Sequence, residues 1–495
     1  MAKTCTLKWG TFFLINFLLL NSCAVGPNYK RPEAPLPKTY TKTTLGKKTK
    51  ATHTQFGKAQ QFKTEADLPA EWWALFHSKP LNDLVMASLK HNPNVESAKA
   101  ALHAAFENVY AQRGAFFPFV GGAAMAAPQK TAGVLQSLLA DNQYNFTLYT
   151  GELLVSYTFD VFGGVRRQME SLIAQAEFQR LQLEATYLTL TTNVVNAAIQ
   201  EAALREQIVA THRIIASQIK ITSIYQQRIK LGDAAKSDLA TQEALLATSE
   251  ASLPPLEKQL ALQRDLLNAL TGRFPDDAMT PQFKLSALQL PRALPLSLPS
   301  TLLEHRPDIR AAEEQMHAAN ALIGVATANR LPNITIGFTN LGATALSMAG
   351  LFANNAPFWT LTGIIAQPIF DGGTLLHRQR AAKALYEQAA AQYRLTIINA
   401  FQNVADTLKA IKADAITLSA TNKASNAAVK SLTIAQKQLT LGDGTTLSIL
   451  INEQLVQQAQ LNLIQAQANR LSDTVALFQA LGGGWWNRRG DCFKM

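Results

Sequence analysis

The sequence has few charged residues and almost no cysteine. Asp, Glu, Lys and Arg make up 16% of its 495 residues, which leaves little material for surface ion pairs. Its three cysteines are Cys5, Cys23 and Cys492. Cys5 falls in an N-terminal targeting segment, and only Cys492 is then left as a free thiol. The fold must therefore be stabilised by packing and assembly rather than by disulfides.

Patterns that carry catalytic chemistry are also missing. The sequence has no phosphate-binding loop, no Gly-x-Ser-x-Gly elbow and no zinc-binding spacing. The His91/His103 and His305/His317 pairs are spaced by twelve residues, which does not place them on adjacent helical turns. We expect no enzyme, no metal site and no cofactor.

Two long stretches lack both glycine and proline, namely Val165–Leu231 and Thr374–Leu441. Each would form a helix of about 100 Å. Neither contains the 18 consecutive apolar residues that a membrane-spanning helix requires. Each ends at Leu-Gly-Asp, a plausible helix C-cap, and a shorter helical arm follows, from Ala235 to Leu270 and from Thr445 to Leu481. Pro254-Pro255 should break the first arm.

Apolar and small residues in the second long stretch are spaced alternately by three and four. This heptad spacing predicts a seam packed against neighbouring helices. The predicted seam residues are Leu408, Ile411, Ala415, Leu418, Asn422, Ser425, Val429 and Leu432.

The two halves of the chain resemble each other. Leu89, His91, Pro93, His103 and Pro118 recur at one constant offset as Leu303, His305, Pro307, His317 and Pro332. Such a duplication indicates two copies of one structural unit. Repeated wall elements suit a ring or tube better than they suit an enzyme.

Four segments alternate with a period of two and predict two strand pairs. They are Phe116–Ala127, Leu153–Asp160, Asn333–Thr339 and Trp359–Ile365. One face of each is apolar and the other is polar or small, which fits either a tilted membrane strand or a half-buried sheet. Four strands cannot close a barrel, so membrane insertion would require several chains.

The N-terminus has the pattern of an export signal. Lys3 and Lys8 precede a short apolar run, Phe12–Leu20. Leu20-Asn21-Ser22-Cys23 then resembles the bacterial lipobox, which predicts an S-diacylglycerol and an N-acyl group on Cys23; a plain signal peptide is the alternative. Ala24 after the cysteine favours sorting to the outer membrane.

Most of the net charge of +11 lies near the N-terminus, where residues 1–70 hold eleven Lys/Arg and three Asp/Glu. This distribution argues against nucleic-acid binding. The lysine-rich tail, Lys38–Lys63, would either rest on anionic headgroups or form a solvated linker draped over the fold.

Several motifs together resemble one family. Cys23–Pro32, Trp72–Phe76, Arg306–Glu313 and Gln367–Gly373 stand in the order found in OprM-like outer-membrane factors. The chain resembles the TolC superfamily, in its OprM/NodT lipoprotein branch, from Cys23 to about Gly483.

The resemblance implies a mixed α and β fold with an internal twofold repeat. Three chains would each give four strands to a twelve-stranded outer-membrane β-barrel, continuous with a long periplasmic α-helical barrel. This homotrimer would be the exit duct of a tripartite efflux pump in a Gram-negative bacterium, with a periplasmic adaptor and an inner-membrane transporter of the RND type as partners. Its alternatives are the outer-membrane component of a type I protein secretion system and a periplasmic helical-hairpin adaptor.

In this family the channel narrows at its periplasmic end, near the turns between paired helices. Members often carry Asp nine residues after the second glycine, where this chain has Ile451. Either carboxylates or packed apolar side chains would constrict the pore. The candidate gate residues are Asp233, Asp238, Asp443, Leu447, Ser448, Leu450 and Ile451.

The predicted domain organisation follows from these patterns. It comprises a signal peptide (1–22), an N-terminal tail and equatorial region (23–80), a first repeat (81–272), a linker (273–300), a second repeat (301–483) and a C-terminal tail (484–495). The strand pairs fall at about 115–160 and 332–370, and the helical hairpins at about 165–272 and 374–481.

Overall fold

The computed structural model describes residues 24–33, 39–41, 46–64, 66–130, 145–232, 234–277, 281–296 and 299–488, without the side chains of 299, 300, 446 and 447. Helices dominate this part of the chain. The described helices are α1 (Lys79–His91), α2 (Pro93–Arg113), α3 (Gly164–Lys230), α4 (Lys236–Ala251), α5 (Leu253–Leu270), α6 (Pro299–His305), α7 (Pro307–Ala328), α8 (Thr374–Thr440) and α9 (Thr446–Ala480).

The strands are fewer and fall into two sheets. Two short strands pair in parallel, and four longer strands form an antiparallel sheet. The described strands are β1 (Gln61–Lys63), β2 (Phe119–Lys130), β3 (Asn145–Phe159), β4 (Ala293–Pro295), β5 (Asn333–Ala345) and β6 (Pro357–Ala366).

The two long helices predicted from the absence of glycine and proline are confirmed. α3 and α8 each contain 67 residues. Their shorter partner arms are confirmed as well, with a break at Ser252 just before Pro254-Pro255 that separates α4 from α5. The break precedes the prolines because a proline nitrogen lacks the N–H that an interior helical turn needs, whereas the first helical turn does not need it.

The predicted seam of α8 is correct in its first half and shifts further along. Leu408, Ile411, Ala415 and Leu418 are buried, but Val429 is 44% exposed and Ala428 is buried in its place. The buried stripe therefore advances by slightly fewer than 3.5 residues per turn, whereas packing along a straight helix of 3.6 residues per turn would move it in the other direction. The buried stripe has moved by one residue at Ala428.

The chain divides into two compact units. The first contains Leu102–Gln179 and Ala312–Tyr393, together with residues up to Pro32, and it holds the four-stranded sheet in the order β2-β3-β5-β6. Each outer strand, β2 and β6, pairs with one neighbour in the described part of the chain.

The second unit contains Glu33–Ala101, Arg180–Ala311 and the chain from Arg394 onward. It holds the main hydrophobic core, in which Trp72 packs against Phe478 with ring centroids 5.7 Å apart. The core also takes in Phe283, Leu288 and Leu294, which lie between α5 and α6. That segment therefore contributes to the core as well as connecting helices.

None of the described helices contains a stretch long and apolar enough to cross a lipid bilayer.

Candidate functional site

The four-stranded sheet separates its side chains into two chemically different faces. The register of the paired strands places every second residue of each strand on the same face of the sheet. An irregularity between Phe338 and Asn340 adds one residue to β5 and so keeps its apolar side chains on that face. The first group is the apolar face. Its members are Val120, Gly122, Ala124, Ala126 and Pro128 of β2, Tyr149, Gly151, Leu153, Val155, Tyr157 and Phe159 of β3, Ile334, Ile336, Phe338, Leu341 and Ala343 of β5, and Trp359, Leu361, Gly363 and Ile365 of β6.

The opposite face of the sheet is rich in threonine and small residues. Neighbouring hydroxyls meet across strands, with Oγ1 atoms 3.1 Å apart for Thr150 and Thr344 and 3.2 Å apart for Thr339 and Thr362. We call this the polar face. Its hydroxyls satisfy one another and still leave lone pairs for water. One face is thus suited to apolar surroundings and the other to water.

Neither face of the sheet is covered within the chain. No described residue of β2, β3, β5 or β6 is buried. On the apolar face, Trp359 is 69% and Ile365 is 74% exposed. A half-buried sheet of a globular domain would hide one face within its own chain, which this sheet does not do. So large an exposed apolar patch is typical of a membrane or partner surface.

The segment that follows Cys23 packs at the end of β3. The amide of Val25 donates to the carbonyl of Phe162 over 3.0 Å. Gly26 passes so close to Gly324 that a Cβ on Gly26 would lie 2.5 Å from the Gly324 Cα. Cys23 itself lies outside the described residues.

Side chains of α3 and α7 hold the same N-terminal segment. Arg167 donates to the carbonyl of Val25 (3.2 Å) and to Oδ1 of Asn28 (2.6 Å). His317 stacks on Tyr29 with ring centroids 4.3 Å apart, and its Nε2 lies 3.1 Å from a carboxylate oxygen of Glu170. His317 therefore fastens this segment.

A compact turn joins α8 to α9. The amide of Asp443 donates to the carbonyl of Gln438 (3.0 Å) and that of Gly442 to Leu439 (3.2 Å), with Gly442 at φ 84°. This is a Schellman C-cap, which requires the left-handed conformation that glycine adopts at low cost. The Thr445 side chain then caps α9 by accepting from the amide of Ser448. The predicted C-cap at Leu-Gly-Asp is confirmed here.

The candidate gate residues occupy different environments near the two turns. Asp443 is exposed, Asp238 is partly exposed in the first turn of α4, and the Ser448 hydroxyl donates to the Thr445 carbonyl over 2.6 Å. Leu450 is 6% exposed, whereas Ile451 is 57% exposed. Asp233 and the side chain of Leu447 lie outside the described residues.

A carboxyl group further along α9 is buried without a partner. Glu453 is 4% exposed, and neither carboxylate oxygen has a hydrogen-bond partner in the described part of the chain. Burial raises its pKa from an ordinary 4.5 to about 7. In the sequence, a single Glu among Gln and Asn residues gives no sign of burial.

A second buried polar cluster was not predicted from the sequence. Arg470 is fully buried, and Asp414 on α8 and Asp473 on α9 lie near it. Burial raises the pKa of Asp414 to about 7, and the neighbouring Asp473 carboxyl adds to the rise. The available signal was the position of Arg470 on the apolar stripe of α9, next to Leu471 and Thr474.

Among the residues that the structure describes, no three His, Cys, Asp or Glu side chains come together as potential metal ligands. His305 instead stacks on Trp486 with ring centroids 3.6 Å apart. The distinctive features of the chain are therefore an uncovered two-faced sheet and long helices with polar interiors.

Comparison with known sequences adds the deciding observation. The family described as outer membrane efflux protein matches residues 84–273 and 298–483. The chain belongs to the outer membrane efflux protein family. It is therefore an outer-membrane channel component of efflux and not an enzyme.

Individual relatives agree with this assignment. The chain is 28% identical over 426 residues to the pyoverdine export outer membrane protein OpmQ of Pseudomonas putida, covering 86% of this chain and 90% of that one. It is 27% identical over 483 residues to the toluene efflux pump outer membrane protein TtgC of Pseudomonas putida, covering 96% of each. The outer-membrane channel OprN shares its fold with a TM-score of 0.82 at 26% identity, covering 94% of this chain and 100% of OprN.

The buried Glu453 gives this efflux channel a testable pH dependence. The folded protein holds the proton of Glu453 up to about pH 7, whereas an unfolded chain releases it near 4.5. Stability should therefore fall as pH rises between these values, by on the order of 2–3 kcal/mol per chain. Glu453→Gln should remove the part of the loss that Glu453 causes and leave the part caused by Asp414, whose pKa is also raised to about 7, as measured by thermal unfolding in detergent at pH 5 and pH 7.5.

The exposed Glu243, also on a short arm, provides the matched control as Glu243→Gln. This control should keep the pH dependence of the wild type. Equal pH profiles for wild type and Glu453→Gln would contradict the assignment of a proton to Glu453.

Proposed function

We propose that this chain forms a homotrimeric duct that passively conducts small molecules from the periplasm to the exterior. Each chain would supply four strands, and twelve strands would close a barrel in the outer membrane. The observation that supports this barrel most directly is the four-stranded sheet. Its apolar face is uncovered, and its outer strands β2 and β6 each pair on one side in the described part of the chain. In lipid, unpaired strand edges are not tolerated, and joining sheets edge to edge removes them.

The polar face of the sheet would line the channel. Its threonine pairs leave acceptors for water, and Glu152 adds a charged group. The long helices α3 and α8 would continue the wall as a helical barrel. Their exposed apolar residues, among them Ile219, Ile398 and Ile416, are available for contacts with neighbouring chains.

An internal twofold repeat would supply the wall elements in pairs. The order in each half is two helices, two strands, a 67-residue helix and a shorter helical arm. The family match likewise falls into two stretches, 84–273 and 298–483. Duplicated wall elements are an economical way to build a ring of six similar sectors from three chains.

A lipid on Cys23 would anchor the chain in the same membrane. The lipobox motivates the modification, and the neighbouring Ala24 lies against Gly163 at the end of β3, where a Cβ would lie 2.6 Å from the Ala24 Cα. An acyl chain attached one residue earlier would enter the bilayer beside the sheet. S-diacylglycerol and N-acyl groups together exceed the single chain that gives only marginal binding.

The duct would work with a periplasmic adaptor and an inner-membrane transporter of the RND type, which supplies the energy. The tips at the α3–α4 and α8–α9 turns are candidates for the gate. Carboxylates (Asp233, Asp238 and Asp443) or apolar side chains (Leu447, Leu450 and Ile451), with Ser448 between them, would narrow the pore there. The exposed Ile451 is the most accessible of the described apolar candidates.

A charge on the apolar face should block membrane assembly. Leu361 lies near the middle of β6 on that face, and the adjacent Thr362 lies on the polar face. Arginine facing lipid at the bilayer midplane costs about 2–4 kcal/mol. We expect Leu361→Arg to lower strongly the yield of heat-resistant oligomers in outer-membrane fractions, measured by unheated gel electrophoresis.

Thr362→Arg is the matched control, one residue away in the same strand. It should assemble normally and reduce cation conductance in planar bilayers, since it adds a positive charge to the channel lining. Equal assembly of both variants would argue that the apolar face does not meet lipid.

Cys23→Ser should abolish lipidation. We expect loss of metabolic palmitate labelling, while the proposed barrel keeps the assembled protein in the outer-membrane fraction. Cys492→Ser is the control and should be labelled like the wild type. Undiminished labelling of Cys23→Ser would exclude Cys23 as the acceptor.

Removing the apolar side chain of Ile451 should widen the closed tip. A hydrophobic constriction excludes water, so Ile451→Ser should raise single-channel conductance, roughly by a factor of two. Ile434→Ser, an exposed site on α8, should leave conductance unchanged. Unaltered conductance of Ile451→Ser would remove Ile451 from the gate.

A further inference from the structure

A short basic segment, residues 46–64, has a role that the duct does not explain. It contains five lysines and no Asp or Glu. Lys47, Lys48, Lys50, Lys58 and Lys63 are all exposed. In the described part of the chain none of these lysines forms an ion pair. We call this segment the basic strap.

The basic strap is a built surface rather than a loose tail. The Thr49 amide donates to the Gln60 carbonyl (2.9 Å), and the Gln61 amide donates to the Arg292 carbonyl (2.7 Å). These bonds align residues 47–49, β1 and β4 side by side. Because alternate residues of extended segments point to opposite sides, Thr49 turns inward while Lys48 and Lys50 face outward.

A fully buried arginine fixes the strap from below. Arg470 donates to Thr49 Oγ1 (3.0 Å) and to the Lys58 carbonyl (2.9 Å), and Gln60 Nε2 donates to Thr474 Oγ1 (3.0 Å). Burial of a cation is costly unless hydrogen bonds compensate it. This arrangement therefore holds the backbone that carries the lysines in place, and an ordered backbone loses less entropy on binding than a flexible tail.

One further cation, Arg292, lies at a concave region beside the strap. An open cavity of about 580 Å³ is lined by His53, Lys58 and Arg292, together with small and neutral residues of the strap. No carboxylate is among its described lining residues. Like charges around a concavity focus a positive potential and attract polyanions.

The side chains of the strap favour a soluble polyanion over a membrane. Membrane-surface segments combine cations with exposed aromatic or aliphatic anchors. The strap has no Trp, Tyr, Leu or Ile, and its two aromatic residues face inward, since Phe56 is 8% exposed and Phe62 packs against the core. Of the two roles predicted for the lysine-rich tail, residues 46–64 fit the segment draped over the fold, and its outer side is basic.

The kind of cation points to carboxylates. Arginine, with its bidentate fork, is the residue of choice for phosphate and nucleic-acid recognition, whereas lysine binds carboxylate or phosphate as a point charge. The strap offers five lysines, and Arg292 is the one arginine in the lining of its cavity. Separate point charges suit carboxylates spaced along a flexible polymer.

We propose that the basic strap binds the carboxylate-bearing peptide stems of the cell-wall polymer, peptidoglycan, and so tethers the channel laterally. This tether is independent of conduction. The tether requires that the channel lie in the outer membrane, as its family does, but it requires none of the proposed pore residues.

The test is co-sedimentation of the full-length protein, purified in detergent, with purified peptidoglycan sacculi. The strap variant is Lys48→Gln/Lys50→Gln/Lys63→Gln, which removes three exposed charges and no buried contact. The matched control is Lys423→Gln/Lys430→Gln/Lys437→Gln, which removes three exposed charges from α8. We expect the strap variant to bind at least about tenfold more weakly and the control to bind like the wild type.

Binding of the wild type should also weaken greatly in 0.5 M salt, because salt screens exposed charges, and on sacculi whose carboxylates have been amidated. Failure of the wild type to sediment, or equal sedimentation of the strap variant, would overturn the proposal. So would retention on vesicles of anionic phospholipid without retention on sacculi, which would identify a membrane as the partner. Planar-bilayer conductance, measured on the same samples, should be unchanged in the strap variant, so the tether and the duct can fail separately.

Discussion

The organisation of this protein depends on the need of every backbone N–H and C=O group for a hydrogen-bond partner. Inside β2-β3-β5-β6, neighbouring strands meet this need. At the outer sides of β2 and β6 no described strand meets it, and lipid would offer no alternative partner. A sheet with an exposed apolar face on one side and hydroxyls on the other has a place in a membrane only if its edges meet other edges. The proposed trimer follows from that requirement together with the resemblance to outer-membrane factors.

The helical part of the chain meets the same need differently. Each long helix satisfies its own backbone, so its side chains are free to be polar in places where a globular core would be apolar. Glu453, Arg470 and Asp414 show the result, since each is a charged or chargeable group within or beside a helix interface. Such groups weaken packing relative to aliphatic residues. Helices whose interfaces contain such groups pack less tightly against each other. Looser packing is compatible with the proposed gate at the helical tips.

Much of the fold could be predicted because its signals are local. The absence of glycine and proline predicted α3 and α8 to within a residue or two, and alternation predicted the apolar faces of β3, β5 and β6. The short strands β1 and β4 could not be predicted, because three residues carry no period and their pairing joins segments more than two hundred residues apart. The burial of Ala428 instead of Val429 and of Arg470 depends on how neighbouring helices pack, which the spacing along one helix does not determine. The lipidation of Cys23, the role of Asp233 in the gate and the domain boundaries stay predictions.

The central claim is that one copy of this chain cannot close its own wall. Native mass spectrometry of the protein, released into detergent from outer membranes, tests it most directly, because the mass counts the chains in one assembled particle. The account predicts particles of three chains that remain intact until the detergent or the fold is disrupted. A stable particle of one chain, especially one that stays in solution without detergent, would contradict it.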